Sequence, residues 1–211
     1  MRLGKRYVSF LAAAGAAASA LPAVATAQAP DSSRSSVRVR VAGGVDLGIG
    51  DSYLAGRSGV GMLGLEWLHP RAPFSARLDL SYLRDSRDYD VAGCEGPCRY
   101  ADRYELLGLS LDGRYTFLSR SPVRPYLLSG FGLYRSTTTV TANFTCDLTT
   151  CVGSPGPTTF SNSSLGLGLH AGFGVAVPIR RSELSLELRF QHLTSGIRNG
   201  YRVPVLLGIR F

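Results

Sequence analysis

The residues whose types and spacing could do chemistry are two close cysteine pairs and two of the three histidines. Cys94-Glu-Gly-Pro-Cys98 and Cys146-Asp-Leu-Thr-Thr-Cys151 have three and four residues between their thiols. In an exported chain such pairs become disulfides, and close spacing favours bridges 94–98 and 146–151, although four cysteines allow three pairings. Four thiolates could instead hold zinc, whose ligand spacings tolerate these gaps. Neither pair is a CxxC, so thioredoxin-like redox chemistry is excluded. Around His192 the sequence reads Glu187-Leu-Arg-Phe-Gln-His192-Leu-Thr194-Ser195, a base with hydroxyls close by. A hydrolytic site also needs a group that orients the imidazole. His170 stands alone among glycines and reads as a satisfied interior polar group. Gly166-Leu-Gly-Leu-His-Ala-Gly172 has no helix after it, so it is not a nucleotide loop. No cofactor is expected.

Composition narrows the classes that could position these residues. The chain has 211 residues, 45% of them hydrophobic, and 18% charged. That is too apolar for a disordered polyelectrolyte and suits one domain. Glycine, 25 of 211 or about 12%, shows no Gly-X-Y period, so collagen is out. Met1-Arg-Leu-Gly-Lys-Arg6 is a basic start, Leu11–Leu21 an Ala-rich apolar stretch, and Ala25-Thr-Ala27 a small-x-small site. This layout predicts a signal peptide over 1–27, cleaved after Ala27, followed by a short linker over 28–35. Its removal takes Arg2, Lys5 and Arg6, so the formal charge falls from +8 to +5. The basic pI is therefore no argument for nucleic acid.

From residue 36 to 211 the recurring signal is alternation with period two. Leu165, Leu167, Leu169, Phe173, Val175 and Val177 fall on one face of a strand, with Gly166, Gly168, His170, Gly172 and Gly174 on the other. The same test predicts strands beginning near Val37, Met62, Phe74, Leu107, Leu184 and Val203. A further strand over about 125–135 has ambiguous phase, because Leu127, Phe131 and Leu133 compete with Tyr126, Leu128 and Tyr134. Eight strands of roughly 10 residues each suit a tilted bilayer crossing. Short Pro-bearing connections (69–73, 118–124, 178–182) alternate with longer ones (49–58, 84–102, 136–163, 193–201). That asymmetry places short turns in the periplasm, with the cysteines in two long outer loops. Trp67, Phe74, Phe117 and Phe211 then form an aromatic girdle at the periplasmic strand ends.

The polar face settles which side points inward. It carries Arg38, Arg40, Arg77, Arg114, Arg189 and Arg210 against Asp46, Glu66, Asp79, Asp112 and Glu187, interleaved with glycine. Glycine weakens a strand that merely faces water, whereas inside a narrow barrel it makes room for long side chains. Charges walled off in this way must be paired. Glu187 with Arg210 is the expected pair. The fold class is thus an all-β, eight-stranded antiparallel up-and-down transmembrane β-barrel with a filled interior and no open channel. The opposite reading, a soluble lipophile carrier, needs the apolar face inward.

The leader, the eight alternating segments and the ending Val203-Pro-Val-Leu-Leu-Gly-Ile-Arg-Phe211 together resemble the small outer-membrane β-barrel family, the OmpA/OmpX-like barrels. Pro125-Tyr-Leu-Leu-Ser-Gly-Phe-Gly132 and Glu187-Leu-Arg-Phe190 are similar to segments common in these domains. The resemblance implies residence in the bacterial outer membrane and insertion by the barrel-assembly machinery, which reads a terminal Phe preceded by alternating apolar residues. It implies roles from envelope scaffold to adhesion, and the chain itself is expected to carry no catalytic machinery. The segment around His192 is similar to the His-x-Ser segment of outer-membrane lipid A deacylases. Position 194 is Thr instead of Ser, and the last strand lacks an acid to orient the ring. The competing reading of His192 is an anchor at the outer lipid interface. Arg84, Arg87, Arg103, Arg135 and Arg198, at the outer strand ends, could bind phosphates of outer-leaflet lipid, including lipopolysaccharide, or could simply be solvated. The expected state is a monomer with no nucleic-acid partner.

Overall fold

The computed structural model describes residues 36–49, 57–69, 72–91, 98–118, 121–144, 157–195 and 199–211. The expected leader, the linker over 28–35, and Cys94, Cys146 and Cys151 lie outside these residues. Eight strands follow in chain order: β1 Ser36–Ile49, β2 Arg57–Leu68, β3 Phe74–Val91, β4 Cys98–Thr116, β5 Arg124–Phe144, β6 Pro157–Ile179, β7 Ser182–Ser195 and β8 Asn199–Arg210. Each pairs antiparallel with the next, and β8 pairs with β1, so the sheet closes into a barrel without a free edge at membrane level.

The alternation sorts the side chains as expected. Leu63, Leu80, Leu109, Phe131, Leu169, Phe173 and Phe190 point outward and are exposed, while Arg40, Glu66, Arg77, Asp79, Asp112, Glu187 and Arg189 are buried inside. A continuous apolar wall of this extent is far larger than water tolerates, and lipid is the solvent that matches it. The carrier reading, with the apolar face inward, is overturned. The phase of β5 is also resolved: Tyr126, Leu128 and Tyr134 are buried, and Leu127, Phe131 and Leu133 face out. Trp67, Phe74, Phe117 and Phe211 stand half-exposed at the short-turn end. There Tyr115 meets Phe117 edge to face at 4.9 Å.

Strand length departs from expectation. β3 to β6 have 18, 19, 21 and 23 residues, so most of the stretches 84–102 and 136–163 are strand. Above the apolar belt both faces of a strand meet water, so hydrophobic alternation vanishes although pairing continues. Thr137, Thr139 and Thr141 oppose Ser163, Ser161 and Thr159 across β5 and β6. β-branched residues favour that pairing whatever their polarity. The barrel consequently has a tall wall, β3–β6, and a short wall, β7–β8–β1–β2.

Candidate functional site

The interior is built in layers of paired charges, and from the rim Arg124 also reaches Glu183 at 3.8 Å. Nearest the short turns, Glu66, Arg114, Glu183 and Arg210 lie within a few residues of their strand ends and form a closed ring. Arg114 donates to Glu66 at 3.2 Å and to Glu183 at 3.0 Å, while Arg210 reaches both acids at 2.7 Å. Ser75 Oγ adds a 2.6 Å bond to Glu66. Each guanidinium is a planar fork that can span two carboxylates, a geometry lysine cannot supply.

Deeper in, three arginines meet three acids. Glu187 is the hub, accepting from Arg40 Nη2 at 3.2 Å, Arg77 Nη1 at 3.0 Å, Arg189 Nε at 2.5 Å and Tyr126 Oη at 2.8 Å. Asp79 takes Arg77 at 2.9 Å and Arg189 at 2.7 Å. Asp112 takes Arg77 at 3.0 Å and the imidazole Nε2 of His170. Arg114 stacks 3.9 Å above the Tyr126 ring, which ties this cluster to the ring of charges. Burying an ion costs several kcal/mol unless it is paired and fully hydrogen-bonded. With three charges of each sign, the layer is stable only as a unit.

Glycine makes the space. A Cβ on Gly64 would stand 2.1 Å from Asp79 Oδ1, and one on Gly174 would meet the Tyr126 ring at 2.5 Å. The expected pair of Glu187 with Arg210 is not formed. In the β7–β8 register Arg210 lies opposite Glu183, while Glu187 lies opposite Leu206. Arg210 therefore joins the ring, and Glu187 the deeper cluster. Arg202 and Glu183 escape a reading of alternation because each extends the inward parity one step beyond the assigned end of its strand. Arg202 pairs with Asp46, forming a third neutral unit toward the long-connection end.

Above this pair the packing changes character. Leu83, Leu106, Tyr134 and Leu193 form a buried apolar collar. Beyond it a cavity of about 240 Å³ opens, lined among others by Tyr104, Leu106, Tyr134, Val140, Phe160 and Arg202. A void of about 20 Å³ lies below, and Leu106, Tyr134 and Arg202 line both spaces. These three residues are the floor between them.

The chemistry-bearing residues on the wall fall as follows. His170 is buried on Asp112, as an interior polar group should be. His192 faces outward and is half-buried, its ring 4.7 Å from that of Tyr201. Thr194 Oγ1 donates to the Leu167 carbonyl at 3.0 Å, so its hydroxyl proton is committed to backbone and not to the imidazole. His192 and Thr194 stand two residues apart on one strand face, and His192 Nδ1 is buried without a hydrogen-bond partner. Of the outer arginines, Arg87 pairs with Asp85 at 3.1 Å and Arg103 with Glu105 at 3.0 Å. Arg84 and Arg135 face outward and are exposed, and Arg198 lies outside the described residues. Of the four cysteines expected to form disulfides, only the backbone of Cys98, which opens β4, falls within the described residues. Among the described residues no cluster of His, Cys, Asp or Glu is arranged to hold a metal ion.

The barrel fold has counterparts among solved structures. Neisserial surface protein A is 18% identical over 84% of this chain and 97% of its own, with a TM-score of 0.53. A major outer membrane protein from Thermus thermophilus is 17% identical over 83% and 98%, with a TM-score of 0.52. The outer membrane enzyme PagL aligns at 15% identity over 82% and 98%, with a TM-score of 0.42, a likeness too loose to bear on activity. No curated protein matches the chain by sequence. Residues 10–204 match the family model described as the outer membrane protein beta-barrel domain. The chain belongs to that family of outer-membrane β-barrels.

Proposed function

We propose that this protein is a non-enzymatic, monomeric outer-membrane barrel that serves the envelope through its lipid-facing wall and its tall outer sheet, and not as a pore. The observation that carries this reading is the neutral, interlocked charge cluster across the barrel interior. An eight-stranded barrel is just wide enough for side chains to fill. Here the three arginines and three acids around Glu187 hold one another so that a passing ion would have to break the whole set. The reading therefore excludes transport through the lumen and moves function to the outer surfaces.

One such surface faces lipid. Arg84 lies ten residues along β3 from the girdle residue Phe74, about 25 Å of membrane normal at the usual strand tilt. That is the height of the apolar band, so Arg84 and Arg135 sit at the level of outer-leaflet headgroups. The register sets Arg84 opposite Glu105, and Tyr82 opposite Leu107, which in turn faces Arg135. These side chains share one outward patch, suited to the phosphates of lipopolysaccharide. In this reading short turns face the periplasm, and the terminal strand ending in Phe211 is read by the barrel-assembly machinery during insertion.

Refolding of the chain into planar bilayers with conductance recording tests the reading. The expected result is heat-modifiable gel mobility without sustained unitary conductance. A stable open channel would overturn it.

A further inference from the structure

Above the charge layers the interior holds an unfilled space, and its walls describe a ligand. We propose that the 240 Å³ cavity at the long-connection end binds an uncharged, chiefly apolar molecule of about two-ring size carrying one hydrogen-bond acceptor. This role is separate from the scaffold reading and does not rest on it.

Size is the first argument. An apolar cavity of about 150 Å³ takes benzene, so a space of about 240 Å³ accommodates a second ring or a short branch. It is smaller than the usual pocket of a drug-sized ligand.

The lining is the second argument. Leu106, Tyr134 and Leu193 are buried beneath it as part of one apolar cluster, and Val140 and Phe160 stand along the tall wall. Phe160 has the inward parity of β6 yet is 65% exposed. A large aromatic left uncovered over an apolar space is what a ligand of the same character would bury.

The third argument is polar. Arg202 is 3% exposed and lines the cavity floor, and its Nε has no hydrogen-bond partner. A buried donor left unsatisfied is costly, and an acceptor on a ligand would relieve it. The acceptor should carry no charge. Asp46 already neutralises Arg202, so an added carboxylate would leave an unbalanced negative charge in a walled-off space.

Among the described residues β6 pairs with β7 from Gly166 onward, opposite Ser195, and Phe160, Ser161, Asn162 and Gly200 line the cavity on the side where β6 continues past that pairing.

Benzophenone is a suitable probe, since it has two rings, a neutral carbonyl, and photochemistry that attaches it to nearby C–H bonds. The barrel refolded in nanodiscs is irradiated with it, and labelled positions are mapped by mass spectrometry. Saturable labelling of Leu106, Val140 or Leu193 is expected, against non-saturable labelling of lipid-facing leucines. Val140→Trp fills the outer part of the cavity without touching the charge layers, and should cut interior labelling at least tenfold. The double variant Asp46→Asn with Arg202→Met keeps the site neutral and removes the donor, weakening apparent affinity about fivefold, the usual worth of one hydrogen bond. Labels confined to the lipid-facing surface, or interior labelling unchanged in Val140→Trp, would overturn the site. Tighter interior labelling by 4-benzoylbenzoate than by benzophenone would overturn the assignment of an uncharged ligand.

Discussion

The two halves of the barrel interior solve the same problem in opposite ways. Toward the short turns, the lumen is packed with ions that neutralise one another in layers, two against two and then three against three. Toward the long connections, the neutral pair Arg202–Asp46 and an apolar collar give way to an open cavity. The first half resembles a salt crystal walled by sheet, since no member can leave without stranding its neighbours. The second half is a conventional apolar site with one polar anchor. Rigidity therefore belongs to the lower half and adaptability to the upper, and substitutions should divide accordingly.

The largest effect is expected at Glu187. Replacing it with Ala leaves Arg40, Arg77 and Arg189 facing only Asp79 and Asp112, an unpaired positive charge in a dry interior. A loss of about 3–5 kcal/mol follows from breaking a buried ionic set on one side. Urea unfolding in lipid vesicles, followed by tryptophan fluorescence, measures it. A midpoint equal to wild type would mean that the layer is not coupled.

Next comes a contrast on the outer wall. Leu109 faces outward in the middle of the apolar belt, opposite Leu80 and Leu133. Arginine there should cost about 2–4 kcal/mol, as charges near the bilayer midplane do. Arginine at Thr137, above the belt and opposite Glu105, should change stability by less than about 0.5 kcal/mol. Equal costs at the two positions would mean that the belt does not end where Arg84 and Arg135 mark it.

These contrasts separate what residue types can reveal from what they cannot. The barrel, its inward face and the girdle of Trp67, Phe74, Phe117 and Phe211 follow from period two, because only lipid outside and charge inside reconcile that pattern. The inward phase of Tyr126 is hidden because tyrosine and leucine look alike to an apolar count. What draws Tyr126 inside is its hydroxyl, which reaches Glu187. The partner of Glu187 is hidden because partners depend on register, and a four-residue offset between β7 and β8 sends Arg210 to Glu183. The tall wall reads as loop because hydrophobic alternation measures the solvent on each face, not the strand itself. No count of residue types foretells the cavity, which is a space left by packing.

A smaller effect tests whether the upper pair is separable from the lower layers. Asp46→Asn with Arg202→Met removes both charges together, so no ion is stranded, and exchanges of this kind are often neutral or mildly stabilising. A change within about 1.5 kcal/mol is expected, against the much larger loss from Glu187→Ala. The single variant Arg202→Met strands Asp46 and should be worse than the double. If the double variant were as unstable as Glu187→Ala, the pair would belong to the deeper network and the interior would not divide in two.

The smallest expected effect lies at the short-turn end, where the chain reverses between β6 and β7 through Arg180 and Arg181. Ile179 pairs with Ser182 across this two-residue turn, and Arg180 has φ of 56°, in the left-handed region. A non-glycine residue is held there at a cost, because its Cβ crowds the following carbonyl. Two-residue hairpins whose first central residue has positive φ are normally made with glycine for this reason. Arg180→Gly removes the crowding but loosens the unfolded chain, and the first effect exceeds the second where φ is already positive. A gain of about 0.5–1 kcal/mol is expected, visible as a higher urea midpoint with an unchanged slope. A lower midpoint would mean that the arginine side chain holds the turn through contacts with headgroups, and the same experiment in zwitterionic and anionic lipid would distinguish the two.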